Sequence, residues 1–290
     1  MQRALHTLVL FCALLAACDQ QATSSTEPLV RTPIRQDGAA SSASTDPSAG
    51  LGAEVSAATQ VESSCHSVIF EDTSFTHCLA VPGRHRIMTA LAGPDQQPLR
   101  SFAALKSSRP ASSSPVAFAF NGGMFDDEGK PIGYYVQNGE RLKTLNTADG
   151  EGNFHLKPNG VFFGDDQGWQ VLTAQRFLAG IKERPRFGTQ SGPMLVINGK
   201  LHPELSPDGE SRAVRNAVGV DSEGRAHFVI SNAPVSFGKL ARLFRDKLEV
   251  DDALYLDGNV SALWNPASGR MDSGSPIGPM IVVEKRTDAP

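Results

Sequence analysis

An α+β fold, a single domain with a mixed, strand-rich sheet core and a few flanking helices, is the class this sequence predicts. Two observations carry the prediction. From about residue 63 onward, short apolar runs alternate with clusters of Gly, Pro, Asn and Asp, the pattern of strands separated by turns. Helical periodicity is clear at one place only, so helices are too few and too irregularly spaced for a βαβ repeat. No internal repeat is visible. With 290 residues, 40% hydrophobic and 20% charged, the chain can bury one large core or two small ones. The domain is placed at residues 63–286, with 287–290 as a tail.

Taken in order, the chain opens with "MQRALHTLVLFCALLAAC", one Arg before an apolar run that ends on small residues. That is a secretory signal, too short to be a membrane span. Leu15, Ala16, Ala17 and Cys18 resemble the bacterial lipobox, which implies a signal peptide over 1–17 and lipidation at Cys18. The same resemblance implies a membrane partner through the lipid anchor, a periplasm-facing place in the bacterial cell envelope and, from Asp19, the inner membrane. Residues 18–62 carry the lipidated Cys and a tether rich in Ser, Thr, Ala, Gln and Pro that cannot bury enough surface to order itself. Of the four cysteines, Cys12 leaves with the signal and Cys18 takes the lipid. Cys65 and Cys78 remain to pair in an oxidising compartment, stapling a hairpin between "HSVIFED" and "FTHCLAVP".

Strands are expected at "RHRIMTAL", "PVAFAF", "NGVFFG", "WQVLTA", "PMLVING", "AVGVDSEGRAHFVIS", "DALYLDG" and "GPMIVVEK". The clear helix is "SFGKLARLFRDKL", where Ser236 can cap the start and Leu240, Leu243, Phe244 and Leu248 share a face. A second, weaker helix falls around "LRSFAALKSS". The formal charge of −4 and the pI near 6.0 provide no basic stripe, so nucleic acid is not an expected partner.

Familiar catalytic signatures are missing. "SFGK" matches Ser-x-x-Lys but lacks its companion motifs and opens the helix. "GTQSGP" is not a nucleophile elbow, and no His-Glu-x-x-His or Walker sequence occurs. What remains is a set of small polar, glycine-flanked segments, each at the end of an apolar run. They are Asn121, Gly122 and Gly123; Gln190, Ser191 and Gly192; Arg215 and Asn216; and Asp257. Singly each is ordinary turn chemistry. Together, polar groups at strand ends converge on one sheet edge, where glycines let backbone N–H groups approach an anion.

"NGGMF", "QSGPML", "RNAVGV" and "LYLDGNVSALW", in this order, resemble the phosphodiester glycosidase family, the domain of the lysosomal enzyme that uncovers mannose 6-phosphate and of many bacterial exported proteins. "EGNFHLKPNGVFFG" and "SNAPVSFGKLARLF" are similar to its bacterial subgroup. One departure is that Asn259 stands where the animal enzyme has a second Gly after its Asp-Gly.

The resemblance implies hydrolysis of a sugar-1-phosphodiester, small molecule or envelope glycan. A phosphate ester leaves far more readily than an alkoxide, so one carboxylate and a phosphate cradle suffice. Asp257 is then expected as nucleophile or base and Arg215 as phosphate clamp through its planar fork. Asn121 with the N–H groups of Gly122 and Gly123, and Ser191 with Gly192, are expected as neutral donors. Gln190, Asn216, Gly258, Asn259 and Ser261 complete the expected substrate-binding set. Asp126 and Asp127 are candidates for a second carboxylate. No cofactor is implied with certainty, but a divalent cation on Asp257, with Asp126 or Asn259, would make the chain a metal-dependent phosphodiesterase. The other alternative is a lipid-anchored module that binds a glycan or a protein without turnover.

Overall fold

The computed structural model of the chain describes residues 63–287. The expected signal segment, Cys18 and the 18–62 tether lie outside them. Strands β1 (Cys65–Phe70) and β2 (Thr73–Ala80) form a hairpin through a two-residue turn, Glu71 and Asp72, both with positive φ as such a turn demands. Cys65 lies directly opposite Cys78 and the two are joined by a disulfide. Strand β3 (His85–Ala90) leads to helix α1 (Phe102–Ser108), whose first turn is capped by Ser101 accepting the Ala104 N–H.

Next come β4 (Val116–Asn121), β5 (Tyr135–Gln137), β6 (Glu140–Lys143), β7 (Gly160–Gly164) and β8 (Trp169–Thr173). Helix α2 (Ala174–Gly180) starts on a Thr173 cap. Strands β9 (Phe187–Ser191), β10 (Met194–Ile197), β11 (Lys200–Leu201), β12 (Asn216–Val220) and β13 (Ala226–Ser231) precede α3 (Phe237–Arg242). Ser236 caps α3 as expected, accepting the Lys239 N–H, and the helix continues into a wider π-type turn, Leu243–Lys247. Strands β14 (Asp252–Tyr255), β15 (Leu263–Asn265), β16 (Arg270–Met271) and β17 (Met280–Lys285) end the described chain.

The strands form three sheets. One has seven strands in the order β1-β2-β13-β12-β14-β10-β11; the others have five, β16-β15-β4-β17-β3 and β6-β5-β9-β7-β8. Every strand pairing among the described residues is antiparallel. The expectation of a mixed sheet is corrected. Parallel neighbours need long crossover connections, and the three α-helices are only six or seven residues long. The architecture is an α+β domain dominated by sheet.

Each sheet turns one face to a shared core and the other to a helix. Phe118 and Phe120 of β4, Phe162 of β7, Phe228 and Ile230 of β13, Leu254 of β14 and Ile281 of β17 meet inside. Their alternating neighbours point outward. Ala119, Met280 and Val282 pack on Phe102 and Leu105 of α1; Ala217, Val229 and Ala253 pack on Leu240 of α3 and Phe244; Val136, Val161 and Phe163 pack on Phe177 of α2. Strands buried on both faces read as unbroken apolar runs, which is why "VAFAF" and "MIVV" show no polar alternation.

Candidate functional site

The site forms where the seven-stranded sheet meets β4. Strand β12 begins at Asn216 beside the end of β14, with Ala217 opposite Tyr255 and the Leu256 N–H donating to the Asn216 carbonyl. Beyond β4, the Gly122 carbonyl accepts the Asp257 N–H at 3.2 Å. Strand alternation puts Leu254 and Leu256 into the shared core, leaving Tyr255 and Asp257 on the other side of the strand.

Asn121 organises the loop that follows. Its Nδ2 donates to the Asp257 carbonyl at 2.7 Å, while its Oδ1 accepts Asn216 Nδ2 at 2.7 Å and the Ala262 N–H at 2.9 Å. Asn216 Oδ1 in turn accepts the Ser261 hydroxyl at 3.2 Å. Four of the expected residues, Asn121, Asn216, Asp257 and Ser261, are therefore one hydrogen-bonded unit that clamps both ends of the 257–262 loop. The Asn121 amide is spent on that clamp, so the expectation of a free donor for substrate is corrected to a positioning role.

Asp257 is 6% exposed, and its Oδ1 accepts the Asn259 N–H at 3.1 Å, capping the 3-10 turn Gly258–Val260. Burial holds its carboxyl above the ordinary aspartate range, opposed by the Asn259 N–H. A carboxylate in that condition is a stronger base once ionised. The loop it begins, Gly258 to Ala262, lines one wall of a cleft of about 470 Å³ whose other side carries Arg100, Ser101 and the 272–275 segment. Asn259 is exposed there.

Arg215 departs from expectation. It is 2% exposed, and its guanidinium donates through Nε to the Val235 carbonyl, through Nη1 to the Tyr255 hydroxyl, and through Nη2 to the carbonyl and hydroxyl of Ser211, all at 2.9–3.0 Å. It also lies 3.6 Å over the Phe237 ring. A fork already committed to four internal acceptors does not clamp phosphate; it anchors Tyr255. The Tyr255 hydroxyl touches Gly258 so closely that a Cβ there would lie 1.5 Å away. Arg215 thus sets the position of the residue beside Asp257 from beneath. Burial raises the Tyr255 phenol, partly countered by Arg215.

The glycines also change meaning. The Gly122 N–H donates to the Pro279 carbonyl and the Gly123 N–H to Thr189 Oγ1, so neither is left for an anion. A Cβ on Gly123 would lie 2.1 Å from the Gln190 carbonyl and one on Gly192 2.8 Å from Phe154 O, so these positions permit chain crossings. Gln190 serves structure as well: its Oε1 accepts the Tyr134 and Asn146 N–H groups, and its Nε2 donates to Asn146 O. Ser191 is fully buried at the end of β9, its hydroxyl without a partner. Asp126 and Asp127 are exposed in a turn that Asp126 closes by accepting the Lys130 N–H, so the expected second carboxylate is a turn residue. Among the described residues no three His, Cys, Asp or Glu side chains gather as metal ligands. A cation on Asp257 would have to draw on amide and carbonyl oxygens.

Tyr255 and Arg100 are the residues that sequence reasoning missed. Tyr255 was readable two positions before Asp257 on the same strand face. Arg100 has no motif around it.

Residues 114–284 match the model of the phosphodiester glycosidase family, and the chain belongs to that family. Among named proteins it is similar to the uncharacterized protein YigE of Escherichia coli (strain K12), 37% identical over 177 residues that span 60% of this chain and 68% of YigE. Among solved structures it shares its fold with the zebrafish N-acetylglucosamine-1-phosphodiester alpha-N-acetylglucosaminidase catalytic domain, auto-inhibited by pro-peptide. The TM-score is 0.52 at 15% identity, over 77% of this chain and 82% of that one. A hypothetical protein from Synechocystis aligns with TM-score 0.51 and 15% identity, over 77% of this chain and 61% of its own.

Proposed function

We propose that the chain is an exported hydrolase that cleaves the bond between a sugar's anomeric carbon and the phosphate of a sugar-1-phosphodiester in the bacterial cell envelope. Asp257 either attacks the anomeric carbon, forming a glycosyl ester that water then opens to free the sugar and restore the carboxylate, or deprotonates the water that attacks; in both cases the phosphomonoester departs with the bonding electron pair. The observation that carries the reading is a buried carboxylate, held above its ordinary pKa, immediately before a loop that forms one wall of a cleft lined by both polar and apolar groups. Family membership supplies the reaction class, and the zebrafish relative's name supplies a sugar phosphodiester as the kind of substrate. Asn121, Asn216 and Arg215 act as positioning residues, fixing the loop through its backbone and through Tyr255. Asn259, exposed in the cleft wall, bears on which sugar or aglycone fits. A lipid on Cys18 would hold the domain at the inner membrane, facing the periplasm.

The test is a panel of sugar-1-phosphodiesters incubated with the protein and assayed for reducing sugar and phosphomonoester. Stoichiometric release from one member supports the hydrolase. Saturable binding across the panel with no release from any member supports the non-catalytic envelope-binding module instead.

A further inference from the structure

With Arg215 turned inward, the cleft beside the 257–262 loop has another cation in its wall. Arg100 lines that cleft opposite Asn259 and Ser261. Its guanidinium lies 5.0 Å over the Phe125 ring, and its Nη1 is buried against Gly129 with no hydrogen-bond partner. Among the described residues no carboxylate forms an ion pair with it. Nearby Glu128 pairs with Lys130, Asp126 accepts the Lys130 N–H, and Asp272, the acidic residue of the cleft wall, is held by Arg270 through hydrogen bonds of 2.9 and 2.8 Å.

The cleft wall therefore carries a guanidinium with no ion pair among the described residues, beside Ser, Asn and Gly groups, an Arg270-paired Asp272 and apolar side chains such as Phe102 and Ile277. The backbone at Arg100 is also left-handed, φ 57°, a conformation that favours Gly or Asn over a long side chain. An unpaired, partly buried guanidinium on strained backbone is unfavourable to the free protein. An anion in the cleft that Arg100 lines would offset that charge.

We propose that Arg100 is the phosphate-holding residue of this cleft, binding the diester's anionic oxygens through its planar fork beside the loop that Asp257 begins. The proposal rests on the hydrolase reading for its substrate class, but its observations stand apart from catalysis. Arg100 lies outside residues 114–284, in the amino-terminal portion of the domain.

The experiment uses Arg100→Asn and Arg100→Lys. Asn accepts a positive φ, so this variant is expected to keep the fold while losing the cation and its packing on Phe125, and the Tm checks that. Binding of inorganic phosphate and of glucose 1-(methyl phosphate) is measured by calorimetry and ³¹P NMR, with glucose as the neutral control. Arg100→Asn is expected to weaken both phosphate probes by about tenfold or more, Arg100→Lys to fall between, and glucose binding to stay unchanged. For any diester that is turned over, KM rises in the same proportion while kcat changes less. Wild-type protein that binds neither phosphate probe, or an Asn variant that binds them within about twofold of wild type, overturns the proposal. Arg100-dependent phosphate binding with no turnover of any diester leaves the anion site standing and removes the hydrolase reading. Turnover that both variants retain unchanged does the reverse.

Discussion

Replacing Arg215 by Lys separates an internal anchor from a substrate clamp. The guanidinium makes four hydrogen bonds spread over Val235, Tyr255 and Ser211 and covers the face of Phe237. A lysine keeps the charge but carries its three donors on one atom, so it cannot reach acceptors arranged around a planar fork. At least two of the four bonds are lost. Hydrogen bonds to a charged group are worth about 1.5–3 kcal/mol each, so the loss is on the order of 3–6 kcal/mol. In a domain of this size each kcal/mol moves the melting temperature by roughly 2–4 °C, which places the fall at about 6–24 °C. Thermal unfolding followed by circular dichroism, with KM for a phosphodiester measured below the transition, decides the matter. A melting temperature within a degree or two of wild type with KM raised tenfold would refute this reasoning and return Arg215 to the role of clamp.

Three other perturbations have definite expected outcomes. Reducing the Cys65–Cys78 bridge, which closes a loop of sequence separation 13, lowers unfolding free energy by about 3 kcal/mol in urea titrations with and without reductant. His77, buried between His66 and His227, has its pKa pushed down to about 3 by burial and by those neighbours. The unfolded chain takes up its proton first, so stability is full above pH 6.5 and declines from there toward pH 3, by at most about 1.4 kcal/mol per pH unit for this group. Urea midpoints at pH 7, 5 and 4 should fall in that order, with a shallower fall in His77→Gln. Asn121→Ala strips the 257–262 loop of its buried amide partners and is expected to cost about 2–4 kcal/mol by the same titration, with kcat falling more than KM rises.

Much of the sheet architecture was readable because most strands are buried on two faces and so appear as apolar runs. The elements that escaped were those with little to bury. All four residues of β6 are exposed, and α2 hides only Ala174 and Phe177. The convergence of Asn121, Asn216 and Asp257 was legible from their places at strand ends, and Ser261 came only with the family resemblance. Their roles were not, because Arg215 and Asn121 spend donors on backbone carbonyls, which any residue carries and no motif marks. Glycine is ambiguous for a related reason. The missing Cβ that lets an anion approach also lets Gly123 lie on the Gln190 carbonyl, and composition does not tell the two apart.

The central claim is that Asp257 is the reacting carboxylate. Its most direct test is the pH dependence of kcat/KM for a sugar-1-phosphodiester, measured on wild type and on Asp257→Asn verified as folded by near-ultraviolet circular dichroism. Because burial raises the carboxyl, wild type should show an acid limb above the ordinary aspartate pKa of about 3.9. In the Asn variant that limb should vanish and the rate should fall by about a thousandfold or more. A folded Asp257→Asn protein that keeps the wild-type rate and the same acid limb would contradict the account.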